Sequence, residues 1–203
     1  MAEVSIVGYG IGNTGSICNM FRKLRIEAEV VASEKSVLSA KRLILPGIGA
    51  FDACVRALDS SGLRASVLEF AATQRPLLGI CVGMQMLTLA SEEGNMPGLG
   101  LIRAHTARFA DADGLRIPHM GWNTIKWTIA DHPLARGLSA DCRFYFVHSY
   151  RVICESPANS LAACAYGGDF SAAIVSGNVA GVQFHPEKSH RFGLQLLSNF
   201  AAS

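Results

Sequence analysis

The sequence has little charge and few aromatic side chains for its size. Of its 203 residues, 17% are charged and 8% are aromatic, whereas 50% are hydrophobic. This composition excludes a disordered chain, because disorder goes with low hydrophobicity and high net charge. The net charge is only +2 and no dense basic block occurs, so nothing indicates nucleic-acid binding. We therefore expect a globular protein.

A long apolar segment and a basic leader are also missing. The longest apolar run covers residues 77–90 and is interrupted by two glycines and a glutamine, so it is too short for a bilayer-spanning helix. The first residues contain no basic segment of the kind that opens a signal peptide. From these features and the chain length we expect a cytoplasmic protein with a single domain, residues 1–203.

The six cysteines are irregularly spaced and include no C-x-x-C pair. The sequence therefore predicts neither a disulfide framework nor a structural zinc site, and we expect no metal and no cofactor. Most of the cysteines are interpreted as small, buried, apolar residues in a reducing compartment. Cys81 differs from the others by its neighbours.

Strand and helix patterns alternate in the first half of the chain. Predicted strands are 4–7, 28–32, 43–45 and 76–80, and predicted helices are one after Asn13, 51–58, 63–73 and 82–90. Asn13 is in position to cap the first of these helices. Such alternation predicts a parallel sheet with helices on both faces, that is, a three-layer α/β/α domain.

The second half changes to short β-like runs separated by turns. Predicted strands are 115–118, 123–127, 144–147, 161–165, 172–175 and 179–184, and a helix follows at the carboxyl end. These runs predict a largely antiparallel extension of the sheet.

A glycine-rich turn, residues 10–15, fits the G-x-G-x-x-G pattern of dinucleotide-binding proteins. That pattern also requires an acidic residue at the end of the second strand, which Ser33-Glu34 supplies only approximately. We interpret the segment as a turn that allows close packing near the sheet, and we do not predict NAD binding.

The strongest chemical signal is Gly79-Ile80-Cys81-Val82-Gly83, between an apolar strand and a helix. It has the form of a nucleophile elbow with sulfur in place of oxygen. The nucleophile of such a turn has a strained backbone, and the small residues on either side prevent collisions. Cys81 would lie at a helix amino terminus, which favours the reactive thiolate.

The best candidate for a base is His185, which has Glu187 two residues later. In an extended segment these side chains point the same way, so Glu187 could hold one ring nitrogen while the other faces Cys81. The remaining histidines lack an acid at this spacing, namely His105, His119, His132, His148 and His190.

Acyl chemistry also requires donors for an oxyanion. The N–H of Val82 is one candidate donor, and the glycine-containing turn at residues 46–49 is a source of the second donor. Without the nucleophile elbow at Cys81, that turn would be interpreted as an ordinary strand end. Gln85 lies one helical turn after Cys81 and could contact a polar substrate, although a solvent-facing glutamine is the alternative.

Three segments together resemble the class I, or triad, glutamine amidotransferases: Pro46-Gly47-Ile48-Gly49, residues 79–85 (GICVGMQ) and residues 181–189 (GVQFHPEKS). Further segments are similar to the glutaminase subunits of imidazole glycerol phosphate synthases, namely YGIGN at 9–13, PHMGWN at 118–123 and YFVHSY at 145–150. The resemblance covers residue 4 to about residue 200. Gly8 departs from it, because the related proteins usually carry an acidic residue there.

The resemblance implies a flavodoxin-like three-layer fold and one glutamine amidotransferase domain. It implies that L-glutamine is hydrolysed to glutamate and ammonia through a thioester on Cys81, with His185 as base and Glu187 as its orienting group. The residues implied to bind glutamine are Gly47, Gly49, Val82, Gln85, Glu93, Ser149 and Tyr150.

The resemblance also implies a partner, the cyclase subunit of imidazole glycerol phosphate synthase, in a heterodimer. Ammonia would pass to the cyclase, which makes imidazole glycerol phosphate and AICAR in L-histidine biosynthesis. Asn13, Trp122 and Lys188 are implied to face the cyclase. No nucleic acid or membrane partner is expected.

Two other interpretations compete with this one. A non-catalytic subunit that kept the fold is disfavoured because Cys81, His185 and Glu187 are all present. A free-standing cysteine hydrolase, such as a γ-glutamyl peptidase, is disfavoured by the His148-Ser149-Tyr150 context.

Overall fold

The computed structural model describes residues 2–111, 114–139 and 141–203. Its helices are α1 (Thr14–Lys23), α2 (Glu34–Ser39), α3 (Phe51–Ser60), α4 (Arg64–Ala72), α5 (Val82–Met86) and α6 (His190–Ala201). Its first strands are β1 (Val4–Val7), β2 (Ala28–Val31), β3 (Leu43–Gly47), β4 (Leu77–Cys81), β5 (Ala90–Ser91) and β6 (Ala104–Arg108). The later strands are β7 (His119–Thr124), β8 (Lys126–Trp127), β9 (Arg143–His148), β10 (Tyr150–Cys154), β11 (Ser160–Ala165), β12 (Asp169–Ser176) and β13 (Val179–Val182).

The central sheet has the strand order β2-β1-β3-β4-β13-β12-β10-β6-β5. The strands from β2 to β13 are parallel, and β12, β10 and β6 continue the sheet in antiparallel fashion. The predicted mixed α/β fold with an antiparallel extension is confirmed. Strands β3 and β4 are buried along their full length, as expected for strands covered by helices on both faces.

Four parallel strands end at the same edge of this sheet, where ligand sites of such folds form. The turn with Asn13 follows β1, residues 48–49 follow β3, Cys81 ends β4, and His185 and Glu187 follow β13. Because β1, β3, β4 and β13 are successive neighbours, residues far apart in sequence meet at this edge.

The segment after Cys81 differs from the sequence prediction. A helix was expected over 82–90, but α5 ends at Met86 and β5 begins at Ala90. The hydroxyl of Thr88 donates a hydrogen bond to the Gln85 carbonyl oxygen at 2.7 Å and so occupies an acceptor that a longer helix would use. The turn then returns the chain to the sheet.

Two strand predictions also require correction. Residues 115–118 form no strand, and β7 begins only at His119. The predicted strand 123–127 is interrupted at Ile125, whose side chain is buried. Strands β7 and β8 join different partners, since β7 pairs with β9 in a separate two-stranded sheet whereas β8 pairs with β11.

Within the described ranges, no helix combines the length and the apolar character needed to cross a membrane. The six cysteines lie in these ranges as free thiols.

Candidate active site

Cys81 has the strained backbone that the elbow motif predicts. Its φ and ψ are 56° and −114°, a conformation that costs an L-residue about 1–3 kcal/mol and is concentrated at functional sites. The strain turns the end of β4 directly into α5, so that the thiol is presented at the edge of the sheet. The side chain is 5% exposed.

Glycines allow the close packing around this turn. A Cβ atom at Gly79 would lie 2.6 Å from the carbonyl oxygen of Gly83, and one at Gly83 would overlap the carbonyl oxygen of Leu45. A Cβ atom at Gly47 would lie 2.5 Å from the Gly83 nitrogen. The three glycines therefore let β3, β4 and α5 approach each other at backbone distance.

His185 and Glu187 form the expected pair, but the backbone between them differs from the predicted extended conformation. Nδ1 of His185 lies 2.8 Å from Oε1 of Glu187, and both side chains are almost fully buried. The segment is not extended, because residues 186–188 form a short 3-10 turn. The turn brings the carboxylate back to the ring, and Pro186 begins it.

Backbone contacts fix the base segment to β9. The N–H of His185 donates to the Tyr145 carbonyl oxygen at 2.9 Å, and the Ser189 hydroxyl donates to the His185 carbonyl oxygen at 2.6 Å. Ser189 also accepts a hydrogen bond from the Tyr145 N–H at 3.0 Å. The position of the imidazole is therefore set by its backbone as well as by Glu187.

The electrostatics of His185 favour its protonated form. Burial lowers its pKa, but the interactions with Cys81 and Glu187 outweigh burial and raise the pKa to about 10. Nε2, the nitrogen turned away from Glu187, is buried and has no hydrogen-bond partner among the described residues. An imidazole in this position can hold the proton that a thiol gives up.

Cys81 and His185 line one cavity of about 400 Å³. Of the residues implied to bind glutamine, Gly49, Val82, Gln85, Glu93, Ser149 and Tyr150 also line it. Gly47 does not line the cavity and instead packs behind it, against the backbone of Val82 and Gly83. Four further residues line the cavity but were not predicted to bind glutamine, although all lie within the segments that carry the resemblance: Ile48, Pro118, Val147 and His148.

Glu93 lines this cavity and also holds helix α3. Its Oε2 accepts a hydrogen bond from the Phe51 N–H at 2.8 Å, at the first position of the helix. Asp52, in that first turn, accepts hydrogen bonds in return from the N–H groups of Asn95 and Met96 at 3.2 and 3.1 Å. These contacts tie the loop that carries Glu93 to α3.

The turn of residues 46–49 is held from behind by two side chains. The Tyr9 hydroxyl donates to the Pro46 carbonyl oxygen at 2.5 Å, and the Cys54 thiol donates to the Ile48 carbonyl oxygen at 3.2 Å. Burial raises the pKa of both groups, so both keep their protons as donors. Gly49 has a φ of +84°, which favours glycine.

Buried His148 lines the cavity and is hydrogen-bonded to a second buried histidine, His119. Nδ1 of His148 donates to the Tyr150 carbonyl oxygen at 2.7 Å, so Nε2 of neutral His148 accepts from Nδ1 of His119 at 3.0 Å. Burial lowers the pKa of His148 to about 3 and that of His119 to about 4. The pair is therefore neutral near pH 7.

Asn13 lies at the start of α1, but the prediction that its side chain caps the helix is wrong. Nδ2 of Asn13 instead donates to Oε1 of Glu187 at 3.3 Å, and its Oδ1 accepts from the Ser16 hydroxyl at 3.2 Å. The glycine-rich turn thus reaches the carboxylate that holds His185. A Cβ atom at Gly15 would meet nothing within 4 Å, so the close helix packing served by the third glycine of a dinucleotide fingerprint does not apply here.

Lys188 lines the cavity, and Trp122 lies near it on the other side of the Tyr145 ring. Trp122 is 45% exposed, and its ring stacks on His190 with centroids 5.3 Å apart. Nζ of Lys188 lies 5.7 Å from the centre of the Tyr145 ring, and the Tyr145 and Trp122 rings are 6.1 Å apart. Met120, on the same strand as Trp122, is 62% exposed. These five residues are called the β7 patch below.

The chain is similar to known proteins over nearly its whole length. The family described as glutamine amidotransferase class-I matches residues 5–203. The chain is 44% identical to "Imidazole glycerol phosphate synthase subunit HisH 2" of Pseudomonas aeruginosa, over 97% of this chain and 98% of that protein. It is 46% identical to the protein of the same name from Methanococcus maripaludis, over 97% and 98% of the two chains.

Among solved structures, the chain is similar to one titled "Structure of PurLQS from Thermotoga maritima". The TM-score is 0.76 at 18% identity, covering 97% of this chain and 96% of that one, which supports the shared fold. Since the family match and the relatives extend over nearly the whole sequence, the chain belongs to the class I glutamine amidotransferase family.

Proposed function

We propose that this chain is the glutaminase subunit of an imidazole glycerol phosphate synthase. It hydrolyses L-glutamine to glutamate and ammonia, and the ammonia passes to a cyclase subunit that makes imidazole glycerol phosphate and AICAR in L-histidine biosynthesis. The observation that carries the proposal is the meeting of the strained Cys81 and the His185–Glu187 pair in one cavity. The names of the two HisH relatives support the choice of synthase.

In the proposed reaction, the Cys81 proton moves to Nε2 of His185 and the sulfur attacks the side-chain amide carbon of glutamine. The oxyanion that forms accepts hydrogen bonds from the N–H of Val82 and from the turn of residues 46–49. The carbon–nitrogen bond then breaks, and ammonia leaves with the proton from His185. A thioester on Cys81 remains.

Water completes the cycle. His185 takes a proton from water, the resulting hydroxide attacks the thioester, and the carbon–sulfur bond breaks to release glutamate. Glu187 holds Nδ1 at 2.8 Å throughout and stabilises the charged ring. Gln85, Glu93, Ser149 and Tyr150 are proposed to bind glutamine, since they line the cavity.

The β7 patch is proposed to face the cyclase. Its exposed Met120 and Trp122 supply apolar contact area, and Lys188 lines the cavity at the same time. Asn13 also belongs to this proposed interface and reaches the site through Glu187. The cytoplasmic location of the complex stays a prediction.

Replacement of the nucleophile tests the proposal. In a complex with the cyclase, Cys81→Ala should abolish synthesis from glutamine, while synthesis from added ammonium salts continues at the wild-type rate. A matched control is Cys142→Ala, which removes another buried thiol outside the cavity. Equal loss of both activities in Cys81→Ala would show an effect on folding or assembly instead.

A further inference from the structure

Gln183 is a buried amide for which the reaction above has no use. The residue follows β13 and its side chain is fully buried. Its backbone N–H donates a hydrogen bond to the Ala172 carbonyl oxygen at 2.9 Å. An unpartnered side-chain amide in such a place destabilises the fold. The contacts of its two polar atoms therefore indicate why an amide is present.

Those contacts fix the orientation of the amide. Oε1 of Gln183 accepts a hydrogen bond from Nε2 of Gln85 at 3.1 Å. Nε2 of Gln183 consequently points towards the Cys81 sulfur, at 3.9 Å. A reversal of Gln183 alone would oppose two NH₂ groups, neither of which can accept a hydrogen bond. A reversal of both amides would place the Gln183 oxygen against the Cys81 thiolate, and two acceptors form no hydrogen bond.

The contact with sulfur gains strength when the thiol loses its proton. A neutral thiol is a weak acceptor, whereas hydrogen bonds to ionised groups are shorter and about twice as strong as neutral ones. The N–H of Gln183 thus favours the thiolate over the thiol. It approaches the same sulfur whose proton His185 is placed to accept.

We propose that Gln183 is a catalytic residue that donates an N–H group to the Cys81 sulfur and stabilises the thiolate, while Gln85 holds the amide in this orientation. The inference rests on the proposed role of Cys81 as nucleophile. The thiol proton still passes to His185, and no bond of Gln183 breaks. The same contact stabilises the sulfur again when it leaves the thioester.

The test measures thiolate formation without glutamine turnover. The full chain is alkylated with iodoacetamide at a series of pH values, and modification of Cys81 is followed by peptide mass spectrometry. Wild type is compared with Gln183→Met, which removes the amide and keeps the side-chain length. Gln195→Met is the matched control, because it removes an amide that donates to Asn199 at 2.9 Å on α6, outside the cavity.

In Gln183→Met, the midpoint of the pH profile should rise by about one unit, so that alkylation at pH values below the wild-type midpoint slows about tenfold. The control should follow the wild-type profile. An unchanged midpoint in a folded Gln183→Met protein would overturn the proposal. If that variant does not fold, Gln183→Glu replaces the donor by an acceptor at nearly the same volume and should raise the midpoint at least as far.

The role of Gln85 is tested by a double-variant cycle. Gln85→Met should raise the midpoint by less than Gln183→Met, and the double variant should rise no further than Gln183→Met alone. Fully additive shifts would contradict the idea that Gln85 acts through Gln183. Iodoacetamide reports on the Cys81 thiol alone, so a chain that failed to hydrolyse glutamine could still show these shifts. The proposal for Gln183 and the proposed glutaminase function are therefore tested by different outcomes.

Discussion

At the scale of single residues, the proposed chemistry depends on how three side chains share one proton. The raised pKa of His185 results from its interactions with Cys81 and Glu187, which outweigh the opposing effect of burial. Asn13 adds a second donor to the Glu187 oxygen that His185 uses. A charged imidazole is thereby stabilised at a position where a free histidine would be mostly neutral near pH 7.

This arrangement predicts a pH dependence of stability. Between about pH 8.5, the ordinary value for a thiol, and about pH 10, the unfolded chain has lost the protons of both Cys81 and His185, whereas the folded chain keeps one proton on His185. Folding then binds a proton, so the free energy of unfolding should fall as the pH rises through this range. Denaturant unfolding at several pH values measures this slope.

Glu187→Gln should reduce this dependence, because it removes a charge that raises the pKa of His185. His105→Asn changes an exposed histidine on β6 and should keep the wild-type slope. A Glu187→Gln protein with the full wild-type slope would contradict the proposed charge interaction.

Most of the candidate residues could be predicted from short motifs, because residues close to them in sequence indicate their function. Cys81 lies between spaced glycines, and His185 precedes Glu187 by two positions. The contacts of Asn13 with Glu187 and of Gln183 with Gln85 join residues 174 and 98 positions apart. No local pattern encodes such pairs, because they form where segments that follow different strands meet at one edge of the folded sheet.

At the scale of elements, the elbow depends on backbone packing between β4, α5 and β3. Gly79→Ala would place a methyl group 2.6 Å from the Gly83 carbonyl oxygen. Because this neighbour is backbone, we expect a loss of about 1–3 kcal/mol in the free energy of unfolding. Glutamine hydrolysis should fall as well, since Cys81 would move.

Gly15→Ala is the matched control for this substitution. A Cβ atom there meets nothing within 4 Å, and the residue lies within α1. Alanine should therefore leave stability unchanged or raise it by about 0.5–1 kcal/mol. If Gly15→Ala destabilised the chain as much as Gly79→Ala, the tight packing would not be specific to the elbow.

The elements that the sequence did not reveal are short or weakly patterned. Strand β5 has two residues, and β10 has one fully buried residue among five, so neither shows clear alternation. Both become strands through pairing with β6. The strongly apolar β1, β3 and β4 were predictable because burial on both faces leaves a continuous hydrophobic run.

At the scale of the whole molecule, the exposed β7 patch is the proposed contact with the cyclase. Trp122→Ala should weaken binding of the cyclase by about 30-fold or more, since a large aromatic side chain at an interface centre often contributes at least 2 kcal/mol. Titration calorimetry measures the affinity. Val30→Ala, an exposed apolar residue on edge strand β2, should bind like wild type.

Equal affinities for wild type and Trp122→Ala would place the interface elsewhere on the surface. The sequence indicated Trp122 only through the resemblance of PHMGWN to related subunits. The hydrophobic periodicity of a helix or strand identifies buried residues and does not mark an exposed tryptophan as a contact site. Its stacking on His190 is visible only in the folded chain.

The central claim is that this chain is the glutaminase subunit of an imidazole glycerol phosphate synthase. The resemblance to such subunits also implies that the cyclase and its ligand activate glutamine hydrolysis. The most direct test measures glutamate release from glutamine by the chain alone, and then with a cyclase subunit and the nucleotide substrate or product of that subunit. We predict weak release by the chain alone and strong stimulation in the complex, both lost in Cys81→Ala. Rapid release without a cyclase, or no stimulation by it, would contradict the account.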